Sequence, residues 1–358
     1  MPPITRAAQV NEEDDDLDFV SDTKAEQTDQ DVGREAENEN NHAAAGKPNE
    51  AEEANRDADK NNTGQKRKSP PTDTSNSQPS NKAARQNADS SSDSPKKLLN
   101  FLLSPKALPY CFPEEELAAA KTSSKYKSYS LSSPASFTPF EHLVCAHLLS
   151  KPLSHNIGMR SIRTLLNDPF NFTTPEEITS AGEHRVWEAL EEARTHHRQK
   201  TASYLYGTGQ AYSDSETMFA LAQEANDSGP AGVIEHIKST VPGLATVGGE
   251  IFCRRVQCVD GWGDALWPYA DSKALDSLGQ MGIEVQDAED LRDTIKCDVN
   301  LDQVKDMGLH ERNLSSQRLV RDEETTYMQA VFVVLLERAI GCVLENKVDE
   351  LKKAAAKA

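Results

Sequence analysis

The sequence predicts an all-α fold behind a long acidic tail, and three observations carry that prediction. Apolar residues beyond position 97 recur at helical spacing, while no stretch keeps the two-residue alternation of a half-buried strand. Helix-start chemistry is written out at Thr174-Pro175-Glu176-Glu177: a capping threonine, a proline in the first turn and acids at the positive end of the helix dipole. Residues 1–60 hold 18 Asp or Glu against 6 Lys or Arg, with almost no aromatic side chains. Such a segment cannot bury enough apolar surface to offset its ordering entropy, so disorder is expected.

Residues 61–97 stay polar but turn basic, with 7 Lys or Arg against 3 Asp or Glu, and complete an expected disordered tail over 1–97. The remaining 261 residues carry −11 of the chain's −19 and are long enough for one sizeable core of two lobes. Lys66-Arg67-Lys68, with Lys82 and Arg85 further on, has the form of a bipartite nuclear import signal, which gives a nuclear expectation. A solvated charge run is the other reading. Met1 to Arg6 runs straight into acids, without the apolar segment of a secretory signal. The long apolar run Met328 to Leu336 is cut by Glu337 and Arg338. It is too short to span a membrane and is expected to be a buried helix. Six scattered cysteines (111, 145, 253, 258, 297, 342) without a CxxC pair fit reduced thiols, not a disulfide frame or a metal site.

Element by element, Leu98, Leu99, Phe101, Leu102 and Leu103 form an apolar cluster ended by Ser104-Pro105, a short docking helix. The Pro- and Ser-rich run from Leu108 to Phe137 is expected to be extended, anchored by Tyr110, Phe112, Tyr126 and Tyr129. Residues 98–136 are thus a wrap or linker ahead of a domain at 137–350. Pro139 to Leu149 predicts a helix, with Phe140, Leu143, Val144, His147 and Leu148 at helical spacing. A second helix spans Ser154 to Leu166 and stops before Asn167-Asp168-Pro169. Beyond the start at Thr174, one helix covers Glu183 to Ala193 and another His197 to Tyr212, with Ala202, Leu205 and Tyr206 inward. Tyr327 to Lys347 is the last helix.

Between these, Ala231 to Thr240 predicts a helix with Val233, Ile234 and Ile237 on one face. Val241-Pro242-Gly243-Leu244-Ala245-Thr246-Val247-Gly248-Gly249 follows, and a second helix runs from about Gly249 with Ile251, Phe252, Arg255 and Val256. Glycines in such a turn allow positive φ and close backbone approach. The free N–H groups at the second helix's start suit a phosphate. A protein can hold a DNA backbone in this way without a basic surface. An ordinary αα-hairpin with a glycine turn fits the same residues.

Three segments in order resemble the helix-hairpin-helix/GPD superfamily of DNA glycosylases, the endonuclease III-like proteins. Pro139-Phe140 through Leu148-Leu149-Ser150 is similar to that family's first core helix. Thr174-Pro175-Glu176 through Lys200-Thr201-Ala202 is similar to its later helices. Val241 to Gly249, with Trp267-Pro268-Tyr269-Ala270-Asp271 after it, is similar to the hairpin and the Pro-x-x-Asp segment. The resemblance covers roughly 137–282.

The resemblance implies a two-lobed helical domain that flips a damaged base into a pocket between the lobes, without a cofactor. Asp271 matches the family's aspartate, which assists loss of the base. Its position before Ser272-Lys273-Ala274-Leu275 also fits a plain helix cap. Gly243, Leu244, Ala245, Val247, Gly248 and Gly249 match the DNA-binding hairpin. Val247 stands where bifunctional members carry a Schiff-base lysine, which excludes lyase chemistry through that position. Ala245 replaces the hairpin's second glycine, where a methyl group is expected to strain the turn or push a phosphate away. Asp260-Gly261-Trp262-Gly263-Asp264 lengthens the spacing to Asp271. Only Cys342 follows Cys297, so the iron–sulfur cluster of some members has no ligand set. Net acidity predicts weak, salt-sensitive DNA binding. The basic groups able to line a groove are Lys151, Arg160, Arg163, Arg194, His196, His197, Arg198, Lys200, Arg254 and Arg255. The expectation is a monomeric base-excision-repair-type protein, a monofunctional DNA N-glycosylase acting on duplex DNA, without a membrane association and with protein partners for its acidic tail. The alternatives are a catalytically inactive derivative that binds DNA or proteins, and a generic helical scaffold.

Overall fold

Proline and capping residues set most helix starts in the computed structural model, which describes residues 89–122, 126–302, 304, 306–310 and 323–358. Among the described residues, fourteen α-helices follow one another and no β-strand forms, so the fold is all-α as expected. The expected disordered tail over 1–97 is helical from Asp89, where α1 (Asp89–Leu102) begins, and its residues 1–88, with the basic run Lys66 to Arg85, lie outside the described residues. The leucine cluster closes α1, with Leu99, Leu102 and the following Leu103 fully buried. Pro105 opens a 3-10 turn, Pro109 lies in the first turn of α2 (Leu108–Cys111), and Pro113 precedes α3 (Glu114–Thr122) with its three leading acids. While 126–133 form no helix, residues 98–122, expected within an extended wrap or linker over 98–136, are therefore mostly helical. Their prolines start helices, whose fixed φ and missing N–H suit that position. α1 packs on the chain's last helices and α3 on α5 (His155–Leu165), so this stretch shares the core of the domain.

α4 (Pro139–Leu149) begins in a capping box, in which the Thr138 and Glu141 side chains bond each other's backbone N–H. It is buried from Phe140 to Leu148 and packs against α5, α7 (Arg198–Ala211) and α9 (Thr246–Val256). Thr174 and Glu177 form a second capping box at α6 (Pro175–Glu192), which kinks at Gly182 (φ 80). The helix expected from Glu183 is its second half. α8 (Ser215–Thr240) also breaks, at Gly229 (φ 63) before Pro230. Its first half was not foreseen from the sequence, and its second half is the expected first arm of the hairpin.

Beyond α9 come α10 (Gly263–Leu266), α11 (Ser272–Gln280) and α12 (Ala288–Asp298). α13 (Glu323–Leu344) is the core helix, buried from Met328 through Cys342, and α14 (Val348–Ala355) carries the domain past residue 350. Over Thr325–Leu344, α13 is long and apolar enough to cross a membrane by length and composition, and 83% of that window is buried within the fold. The apolar run expected to be too short for a span is thus the middle of a longer helix. α13 packs on α2 and α11, which joins the two ends of the described chain.

Candidate nucleic-acid interface

α8 ends at Thr240, and Val241 to Ala245 turn the chain into α9. Gly243 has φ 74, and a Cβ there would run into the Tyr204 ring, so both backbone conformation and space require glycine. α9 starts at Thr246, three residues ahead of the expected Gly249, which puts Gly248 and Gly249 in its first turn and not in the loop. Their missing side chains serve packing: a Cβ on Gly249 would sit 3.1 Å from Ile234 of α8, and one on Gly248 would press into Leu244. Leu244, Gly248 and Gly249 are buried, whereas Pro242, Gly243, Ala245, Thr246 and Val247 face solvent. Ala245 has φ −124, extended backbone that any residue adopts, so its methyl group does not strain the turn.

No side chain caps α9. The Gly248 and Gly249 N–H groups both donate to the Ala245 carbonyl, at 2.9 and 3.1 Å. Helix geometry gives those of Thr246 and Val247 no intrahelical acceptor, and both residues are exposed.

The ten basic side chains divide into three groups. Arg160 and Arg163 pair with Glu115 and Glu116 of α3. Arg254 and Arg255 are buried. Lys151, Arg194, His196, His197, Arg198 and Lys200 stay at or near the surface. Lys151 donates from Nζ to the Gly243 carbonyl at 2.8 Å. Its ammonium lies 5.1 Å from the Tyr204 ring centre, and that of Lys200 lies 5.5 Å from the same ring. Partial burial, with the charge of Lys200, pulls the Lys151 amine below its ordinary range against the opposing influence of Tyr204. From Lys200 the cationic surface continues into an open hollow of about 700 Å³, lined by Trp187, Arg194, His196, His197, Arg198 and Lys200. Arg194 and His197 both have φ 56, a left-handed conformation that shapes this connection between α6 and α7.

Asp271 caps α11: its Oδ1 accepts from the Ala274 N–H at 2.9 Å. Its Oδ2 accepts from Arg254 Nη1, and the residue is 5% exposed. Arg254 Nε also donates to Glu337 Oε1 at 2.8 Å, and Glu337 Oε2 accepts from the Tyr129 hydroxyl. Burial works against the charge of Arg254, but the Glu337 and Asp271 carboxylates outweigh it and hold its pKa above the usual value. Burial likewise opposes ionisation of Glu337, yet Arg254 and Arg255 hold its pKa below the carboxylate range. Both Asp271 oxygens are therefore committed. On the face of α9 toward Asp271, the half-buried Glu250 carboxyl is raised by burial and then by the charge of Asp271.

The structure thus places the hairpin residues together and ties Asp271 to the far end of α9 through Arg254. Sequence reasoning missed Tyr204, which joins α7 to the turn, and Glu250. It also missed the partner of Asp271, because ion pairing across 17 and 83 residues leaves no local pattern. No protein-family model, no curated protein and no solved structure matches this chain.

Proposed function

We propose that this chain binds the DNA backbone through a two-lobed helix-hairpin-helix/GPD glycosylase-type fold, in the nucleus, with Asp271 acting as a structural cap. One observation carries the reading: the exposed, uncapped start of α9 lies in the same surface patch as Lys151 and Lys200. N–H groups at a helix start and flanking ammonium groups suit a phosphate. The hollow at Arg194 to Lys200 extends that cationic surface. Backbone contacts of this kind position a protein on DNA and carry no sequence information. Fluorescence anisotropy with a short duplex at ~50 mM salt tests the proposal. The Lys151→Glu, Lys200→Glu double variant should bind at least ~10-fold more weakly, since each lost phosphate contact costs affinity. No binding by the natural protein, or equal binding by the variant, overturns it and leaves the protein-interaction reading of the fold.

A second reading, hydrolytic release of a damaged base, is favoured by Glu250. Burial and the neighbouring Asp271 charge both favour the protonated form of Glu250, against Arg254, and this is the direction in which a general acid is tuned. The same assay samples, prepared with uracil, alkylated or oxidised bases, decide it. Release lost in Asp271→Asn and in Glu250→Gln supports hydrolysis, whereas no release of any base sinks this reading and leaves backbone binding standing.

A further inference from the structure

Two buried arginines face one small cavity with unspent hydrogen-bond donors. The cavity measures about 10 Å³, room for one guest of about water size, and is lined by Tyr129, Ser130, Ser132, Glu337, Arg255 and Arg338 among others. Arg255, in the last turn of α9, is 1% exposed, and its Nε and Nη2 have no hydrogen-bond partner. That edge is the fork with which a guanidinium grips an anion. Its nearest carboxylate is Glu337, 3.8 Å from Nη1, already bonded by Arg254 and Tyr129. Arg338 of α13, also 1% exposed, donates from Nη1 to the carbonyls of Leu102 (2.9 Å) and Ser104 (3.0 Å) and from Nη2 to that of Met307. Its Nε has no partner.

The charges do not balance. The buried carboxylates Glu116 and Glu141 are taken up by Arg163 and Lys127. Around the cavity Arg254, Arg255 and Arg338 therefore stand against Glu337 and Asp271 alone, one positive charge in excess, eased by the Tyr129 ring 3.7 Å from the Arg255 guanidinium. Asp306, the acid that Arg338 senses, is exposed. Burial draws the Arg338 pKa down to about 10, so the guanidinium stays charged at neutral pH. A buried charge without a counter-charge is unfavourable enough that an ion or a compensating group is favoured.

We propose that this cavity binds a small monovalent anion of the halide class, held by Arg255 Nε and Nη2 and by Arg338 Nε. The Glu337 carboxylate borders the cavity and opposes the guest, but Arg254 and the Tyr129 hydroxyl already take up its charge. Half-buried Leu309 lines the cavity and offers a side chain that can yield to a guest somewhat larger than water. An ion there clamps α9 to α13 and so stabilises the whole domain. The site stands independently of the DNA-binding reading.

Thermal unfolding of the full chain, at constant ionic strength with chloride exchanged for gluconate, tests the site. Gluconate is too large for the cavity. If ~100 mM chloride is ~100 times the dissociation constant, Tm should rise on the order of 5 °C over the chloride-free sample. Ser132→Asp places a tethered carboxylate in the cavity and can still accept from the Ser128 N–H, as Ser132 Oγ does at 2.9 Å. This variant should lose the chloride dependence. Crystals soaked in bromide should give an anomalous peak between Arg255 and Arg338, a measurement that needs no variant. A Tm indifferent to chloride, a chloride response unchanged in Ser132→Asp, or a water without anomalous signal in the bromide crystal overturns the proposal.

Discussion

Two histidines of α4 decide how stability responds to pH. His147 Nε2 lies 2.9 Å from Thr208 Oγ1, whose own proton is donated to the Tyr204 carbonyl at 2.8 Å. The hydroxyl has no second proton, so His147 donates from Nε2 and is held in that neutral tautomer. Burial, followed by the charge of Lys151, lowers its pKa to about 3. His142 donates from Nε2 to the Pro134 carbonyl, and burial, with Arg255 next, holds it well below the ordinary range. In the unfolded chain both take up a proton near pH 6.5. The native state refuses that proton until far lower pH. For His147, stability is therefore full above pH 6.5 and drains as pH falls from there toward 3, at about 1.4 kcal/mol per pH unit. His142 and His155, also held below their ordinary range by burial, add losses of the same sign. Urea unfolding at pH 5 against pH 7 should show a loss to which His147 contributes about 2 kcal/mol, and His147→Gln should remove that share. Equal stability at the two pH values contradicts this account. Glu337, with its depressed pKa, adds a loss of the same sign only below the ordinary carboxylate range.

At the scale of elements, what the sequence announced locally came out in place. Thr174 with Glu177, the start written out in the sequence, is a capping box, and Thr138 with Glu141, a start not read from the sequence, is another; both helices begin there. The first half of α8 starts on a single cap, Asp214 accepting from the Glu216 N–H at 3.0 Å without a reciprocal side chain, and Phe219 faces solvent at 58%, so it has no clean apolar stripe. α2 and α3 were hidden because their prolines also suit an extended chain, and only packing against α13 and α5 decides between the two. The α9 start misled for a related reason. Gly248 and Gly249 look like turn residues, yet helix contact, not φ, requires them. That start permits a test in which stability and function move in opposite directions. Ala245 occupies the cap position without a capping side chain. Ala245→Asp should cap the helix and stabilise the protein by about 1 kcal/mol. The same carboxylate occupies the N–H groups that a phosphate would take and places a negative charge beside them, so duplex affinity should fall at least ~10-fold. Calorimetry and anisotropy on one preparation check both signs. A variant that gains stability and binds DNA unchanged removes α9 from the interface.

For the whole molecule, composition revealed the charge but not its arrangement. The sequence could say that −11 resides beyond residue 97, but not that Lys151 and Lys200 flank one aromatic ring while Arg254 and Arg255 sink into the core. That sorting depends on contacts such as Lys151 with Gly243, 92 residues apart, which no local pattern encodes. Two fields of opposite sign follow. On the proposed DNA-binding reading, the cations near the hairpin attract a phosphate at contact distance, while the chain's −19 repels DNA from further away. The distant field is screened over about 10 Å at 0.1 M salt, whereas contacts inside the patch are screened less. Long-range charge therefore acts on encounter, and close contacts act on escape. Deleting residues 1–60, with their 18 acids and 6 bases, takes the chain from −19 to −7 without touching the hairpin residues. Stopped-flow association with duplex DNA should then show kon raised about 10-fold at ~20 mM salt and koff unchanged, with the difference gone near ~0.5 M. A change confined to koff would mean that residues 1–60 act by occupying the bound complex and not by their charge at a distance.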